Sequence, residues 1–348
     1  GCVSSDDLTL GGATARRPTL PRGLAMALRN LGLLALLLLP VWLLSGSSFW
    51  LNILAYAFLF GGLASAWNII GGFGGQFSLG HRVFFACGAY LSAIMVIDWG
   101  LSPWLALVPA ALFGALVALA ISWPTFRLKG PFFAIATLAL NEIGFVVANY
   151  LEDVTGGPRG LQVPYKLGLE NMIFKDRTSY VLLMFGFLAL CLVAAVLIRH
   201  SRLGYQLLAI RDDEDTARAA GVAVLAAKLK GIGISAALTA VGGVLFTMYV
   251  RFIDPPTLFS LPDIGVKIAL IVLIGGIGTL WGPVVGALLI VPVETFLRSE
   301  LSALWPGTHL VALGIVLVTA ALFMKRGIVG SALALRDRAR RPAAGRRA

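Results

Sequence analysis

The sequence predicts an all-α, polytopic helical membrane protein with about ten transmembrane segments, and three observations carry that expectation. Hydrophobic residues make up 58% of the 348 positions and charged residues only 13%, about half the charged share of a soluble domain. Apolar runs of roughly 15 to 22 residues recur along the chain, close to the length that crosses a ~30 Å hydrocarbon core. The ~10-residue alternating segments of a transmembrane barrel are absent.

Ten candidate spans follow in order, at 31–46, 49–70, 83–97, 103–123, 131–150, 179–198, 229–250, 264–280, 283–299 and 308–324. The third is short, which fits a re-entrant or broken element as well as a full span. Residues 1–30 read as a polar, basic, disordered tail; 31–326 as the membrane domain, with an outer loop at 151–178 and an inner loop at 199–228; and 327–348 as a basic tail.

Charge sets the orientation. With the N-terminus inside, the inner segments hold 21 Lys and Arg residues, Arg82 among them, and the outer segments hold 6. That bias is the one the positive-inside rule expects, so both termini are placed in the cytoplasm. The net charge of +11 does not point to nucleic acid, because its basic residues lie in loops and tails rather than on one folded surface.

Small residues recur every fourth position at Ala106, Ala110, Gly114 and Ala118; at Ala57, Gly61 and Ser65; and at Gly231, Ser235, Thr239 and Gly243. Lipid is as apolar as leucine, so such stripes read as sites of close helix approach. "IIGGFGG" (69–75) echoes "LIGGIGT" (273–279), the trace of a duplicated half or a chance likeness of glycine-rich turns.

No phosphate-cradling G-x-x-x-x-G-K-[ST], H-E-x-x-H or G-x-S-x-G occurs, so the chain reads as a non-enzyme without a cofactor. Cys2, Cys87 and Cys191 are scattered, and His81, His200 and His309 lie far apart in the topology, so no metal site is expected. His81 and Arg82 are expected to cap a cytoplasmic turn or touch headgroups. Glu142, beside Asn141, is the carboxylate nearest mid-span and the default functional suspect. Lys267 and Glu294 lie nearer span edges, where snorkelling is expected. A lone mid-span carboxylate is thin support for an ion-coupled transporter.

The inner loop carries "IRDDEDTARAAGV". Asp212, Asp213, Glu214 and Asp215 are expected in the first turns of one short helix, where negative charge complements the dipole. Ala217, Ala220 and Gly221 then offer a small-residue surface that fits a partner's groove. A solvated connector with ordinary capping charges is the alternative.

Seven blocks follow one another at 68–91, 126–143, 154–161, 203–222, 234–246, 272–287 and 322–330, among them "NIIGGFGGQFSLGHRVFFACGAYL", "VTGGPRGL" and "LGYQLLAIRDDEDTARAAGV". Together they resemble the membrane permease of high-affinity branched-chain amino-acid ABC importers, the LivM-like subunit, over about residues 30 to 332. The resemblance implies a bacterial inner-membrane subunit that pairs with a sister permease, two cytoplasmic ATPase subunits and a periplasmic binding protein. It implies ATPase coupling by Arg211, Asp212, Asp213, Glu214, Asp215, Ala217, Ala220 and Gly221. It also implies a translocation path near Gln76, Ser78, Asn141 and Glu142, and a binding-protein-facing loop at Thr155, Gly156, Gly157 and Arg159. Relatives usually carry Ala where this chain has Arg82. A stand-alone secondary transporter or facilitator, and a urea- or amide-importing relative, remain the alternative readings.

Overall fold

A computed structural model describes residues 32–44, 46–128, 131–301 and 327–332, with isolated residues between 308 and 319. The chain divides after Leu44. In the first unit, the described residues form an apolar helical stretch, Gly32–Leu43, whose last part, Leu39–Leu43, restarts with a proline in its first turn.

The second unit holds seven helices long and apolar enough to span a bilayer, counted among the described residues. The expected span at 31–46 is the shorter stretch just described, and that at 308–324 lies largely outside the described residues. The helices are α1 (Ser48–Asn68), α2 (His81–Ile97), α3 (Pro103–Thr125), α4 (Pro131–Tyr150), α5 (Arg177–Arg199), α6 (Arg202–Asp212), α7 (Glu214–Ala219), α8 (Val224–Val250), α9 (Lys267–Gly275) and α10 (Gly282–Leu301).

Helices α1 and α8 are apolar on every side, the pattern of a helix buried on all faces, and they form the centre. The small-residue stripes lie where helices touch. Ala106, Ala110, Gly114 and Ala118 are all buried on one side of α3, and Gly231, Ser235, Thr239 and Gly243 are buried on α8. A Cβ at Gly114 would stand 2.6 Å from that of Ala240, and one at Gly243 would stand 2.1 Å from the Phe85 carbonyl oxygen. Only glycine permits these approaches.

Two spans are broken. After Asn68 the chain loosens into a π-turn, Ile69–Phe73, and Gly74–Gly80 folds back so that α2 starts partway along the neighbouring helix α8. His81 fixes that level: its ring contacts Ser235, eleven residues or roughly 16 Å from the start of α8. That is why the third segment reads short. The span Pro255–Gly275 is interrupted at Phe259–Ser260, where Ser260 caps a second π-turn, Leu261–Val266, by accepting from the Asp263 N–H at 3.2 Å. Discontinuous helices of this kind are tolerated at membrane depth where protein satisfies the freed backbone groups. The expected tail from 327 begins as helix over 327–332, and a Cβ at Gly327 would stand 2.4 Å from the Gly276 Cα.

Candidate translocation and coupling sites

The inner loop folds as a hairpin. Its expected single helix is two, α6 and α7, split at Asp213, whose extended backbone (φ −159°) ends one and caps the other. The Asp213 carboxylate accepts from the Thr216 N–H at 2.5 Å. Glu214 and Asp215 occupy the first turn of α7, as charge complementarity to the dipole favours, whereas Asp212 ends α6. Glu214 accepts from the buried Lys228 ammonium at 2.6 Å and from Arg218 at 3.0 Å, and Arg218 also reaches Asp215 at 3.1 Å. Ala217 points into a small core with Ile210, Val224 and Ala227, while Ala220 and Gly221 face solvent. Gly221 has φ +85°, a conformation that costs any side chain.

This hairpin is fastened to the membrane body. Leu207, fully buried on α6, lies 3.3 Å from where a Cβ would stand at Gly74 and at Gly231. The Arg211 guanidinium donates to the Gly72 carbonyl at 2.8 Å. The two echoing glycine-rich stretches meet at that point. Asn68 accepts from the Gly278 N–H at 2.9 Å through its oxygen and donates to the Thr279 carbonyl at 2.9 Å through its nitrogen. A Cβ at Gly278 would lie 2.2 Å from the same Arg211 nitrogen, so the cation rests against both turns.

A buried polar cluster surrounds the start of α2. Trp67 donates to the Ser78 carbonyl at 2.7 Å. His81 bridges Ser78 Oγ at 3.2 Å and Ser235 Oγ at 2.8 Å, and Ser235 donates onward to the Ala66 carbonyl at 2.7 Å. Because the Ser235 proton is committed to Ala66, His81 donates through Nε2 and accepts through Nδ1. Thr137 of α4 accepts from the Leu79 N–H at 3.2 Å. Arg82 is 0% exposed and donates through Nη1 to the Phe259 carbonyl at 2.6 Å. The expectation of headgroup contact at His81 and Arg82 is therefore overturned, because the re-entrant loop carries both residues into the interior. Gln76 is half-buried and bonds only locally, to the Gly74 carbonyl at 3.4 Å. Asn141 faces inward at 0% exposure, and Glu142 faces out from the chain.

Lys267, Glu294, Arg298 and Asp263 form a third site. Lys267 and Glu294 do not snorkel: both are buried and paired at 2.8 Å, with Lys267 also 4.5 Å from the centre of the Phe60 ring. Arg298 extends the network to Glu294 at 3.3 Å and Asp263 at 2.5 Å. These groups line a cavity of about 530 Å³ together with Tyr56. The signal was present in the sequence, since 264–280 and 283–299 are consecutive antiparallel spans carrying opposite charges near their outer ends.

In the outer loop, Thr155 is buried and bonds the Ala148 carbonyl at 2.5 Å and the Gly157 N–H at 3.2 Å. Gly156 and Gly157 take φ +73° and +51°, so the motif shapes a turn that leaves Arg159 exposed. The turn leads into a two-residue strand, Leu161–Gln162, paired antiparallel with Phe252–Ile253. Among the described residues no group of three metal-ligating side chains forms.

Comparison with known proteins agrees with this architecture. The family described as "Branched-chain amino acid transport system / permease component" matches residues 49–321. The high-affinity branched-chain amino acid transport system permease protein LivM of Escherichia coli K12 is 30% identical over 299 residues, covering 78% of this chain and 69% of that protein. The LivM of Salmonella typhimurium is 30% identical over 256 residues, 67% of this chain and 60% of that protein. The E. coli permease protein LivH is 27% identical over 289 residues, 77% of this chain and 90% of that protein. No solved structure matches significantly. The chain is thus a multi-pass, all-α membrane protein that belongs to the family of permease components of branched-chain amino-acid transport systems.

Proposed function

We propose that the chain is the membrane-spanning permease subunit of a binding-protein-dependent ABC importer for branched-chain or related small amino acids. It forms part of the translocation path in a bacterial inner membrane, with both termini cytoplasmic and about ten spans. Two cytoplasmic ATPase subunits hydrolyse ATP, a periplasmic binding protein delivers solute past Arg159 and the 151–178 loop, and a sister permease completes the pore. Similarity to both LivM and LivH of one organism supports a heterodimer. The residues 199–228 are the coupling loop, with Asp212, Asp213, Glu214, Asp215, Ala220 and Gly221 presenting it, Ala217 packing its core and Arg211 anchoring it. Ser78, Gln76, Asn141 and Glu142 border the path.

The observation that carries this reading is the attachment of the α6–α7 hairpin. It projects from the ends of the spans yet is tied by Arg211 to Gly72, where the glycine-rich stretches 69–75 and 273–279 meet. A partner pulling on the hairpin would act directly on those turns. Co-expression with the ATPase and binding-protein genes of its own locus tests the reading: leucine uptake dependent on all components is expected. Uptake by the chain alone would instead establish a stand-alone facilitator.

A further inference from the structure

We propose that Arg82 and Asn141 form the head-group site for an α-amino acid whose apolar side chain occupies the adjoining crevice between α2, α3 and α4. The inference deepens the importer reading and rests on it. Arg82 is 0% exposed, and its Nη1 is spent on the Phe259 carbonyl at 2.6 Å, while its Nε and Nη2 have no partner. Those two nitrogens make up the side edge of the guanidinium, the fork that grips a carboxylate with two parallel hydrogen bonds. Asn141 is also 0% exposed, and neither its amide oxygen nor its nitrogen is bonded. A buried cation and a buried amide left unsatisfied carry their full desolvation cost, which an incoming ligand relieves.

The two side chains are at one level. Thr137, one turn before Asn141 on α4, bonds the backbone of Leu79, and Gly144, three residues after it, faces the Phe259 ring and Val83. Arg82 is the second residue of a helix that starts inside the helical body, and its N-terminal dipole adds positive potential. Next to Arg82 and Asn141 lies a cavity of about 450 Å³ lined by apolar side chains, among them Val83, which follows Arg82, Leu140, which precedes Asn141, and Phe259, whose carbonyl Arg82 holds; Arg82 and Asn141 themselves stay behind that lining. An apolar amino acid matches that division: carboxylate on Arg82, ammonium on the Asn141 oxygen, branched side chain in the crevice.

The full chain in detergent is heated with and without L-leucine, leucinamide or 4-methylpentanoate, and leucine uptake is measured in proteoliposomes of the complete importer. Leucine is expected to raise the melting temperature, and leucinamide, without a carboxylate, to leave it unchanged. Arg82→Met should melt no lower than wild type, because losing the one bond to Phe259 is offset by removing a buried cation with no carboxylate partner, yet lose the leucine shift and at least ten-fold of uptake. If it fails to insert, Asn141→Leu takes its place with the same expectation. Wild-type uptake in whichever variant inserts, or an equal shift from leucinamide, overturns the site. An equal shift from 4-methylpentanoate overturns the amino-acid assignment in favour of a plain carboxylate. A wild-type complex that moves no leucine removes the importer reading itself, whereas one whose variant moves leucine normally removes this inference alone.

Discussion

Arg211, near the end of α6, donates to the carbonyl of Gly72, 139 residues earlier and 2.8 Å away, and so joins the α6–α7 hairpin to the point where the first central span unwinds. A charged hydrogen bond of this kind contributes roughly 1.5–3 kcal/mol, enough to make the hairpin move with the turn rather than independently of it. Arg211→Ala should leave the chain inserted and the ATPase bound while uptake falls about ten-fold; pull-down of the ATPase alongside uptake assays checks it. Arg211→Lys should recover little, because a point charge does not reproduce the guanidinium fork that rests between Gly72 and Gly278.

Close packing along the small-residue stripes predicts a stability effect. Gly243→Leu would drive a side chain into the Phe85 carbonyl, 2.1 Å from its Cβ position, and Gly114→Leu would meet Ala240 at 2.6 Å. Both contacts involve groups fixed by their own helices, so overpacking should cost at least about 1–3 kcal/mol. Melting temperature and monodispersity in detergent should fall for both. Wild-type values would mean that these helices separate freely.

The buried Lys267–Glu294 pair predicts strong non-additivity. Lys267→Met alone strands a carboxylate that retains only the 3.3 Å contact to Arg298, and should destabilise by about 3–5 kcal/mol. Lys267→Met with Glu294→Leu should recover most of that loss. Thermal unfolding of the four proteins of the cycle measures the coupling, and additive losses would contradict a paired state.

Glu142 lies on the outward side of α4 while its neighbour Asn141 points in. A carboxylate at that depth is costly against lipid, so it should meet the sister subunit. Glu142→Gln should leave the chain inserted but reduce uptake several-fold and weaken co-purification of the sister permease. Unchanged assembly and uptake would leave Glu142 facing lipid without a role.

Spans and packing faces were legible in the sequence because hydropathy and a four-residue period are local. What escaped was set by the backbone folding back on itself. No periodicity announces that Gly74–Gly80 turns inward, so His81 and Arg82 read as an interfacial pair and are core residues instead. Asp213 breaks the acidic helix because its side chain caps the next one, a competition that a run of four acids conceals. The echo between 69–75 and 273–279 was visible, but only the Asn68 bonds to Gly278 and Thr279 reveal that the two stretches touch.

The coupling role of the hairpin is tested most directly at Ala220. It is exposed and caps α7 with φ −76° and ψ 5°, a negative-φ conformation open to any side chain, so a large one adds bulk there without the strain that φ +85° would impose at Gly221. Substrate-stimulated ATP hydrolysis by the reconstituted complex carrying Ala220→Trp is the measurement. A chain that melts like wild type yet loses about ten-fold of that stimulation is the predicted result. Full stimulation would show that the hairpin is a solvated connector and contradict its assignment as the coupling element.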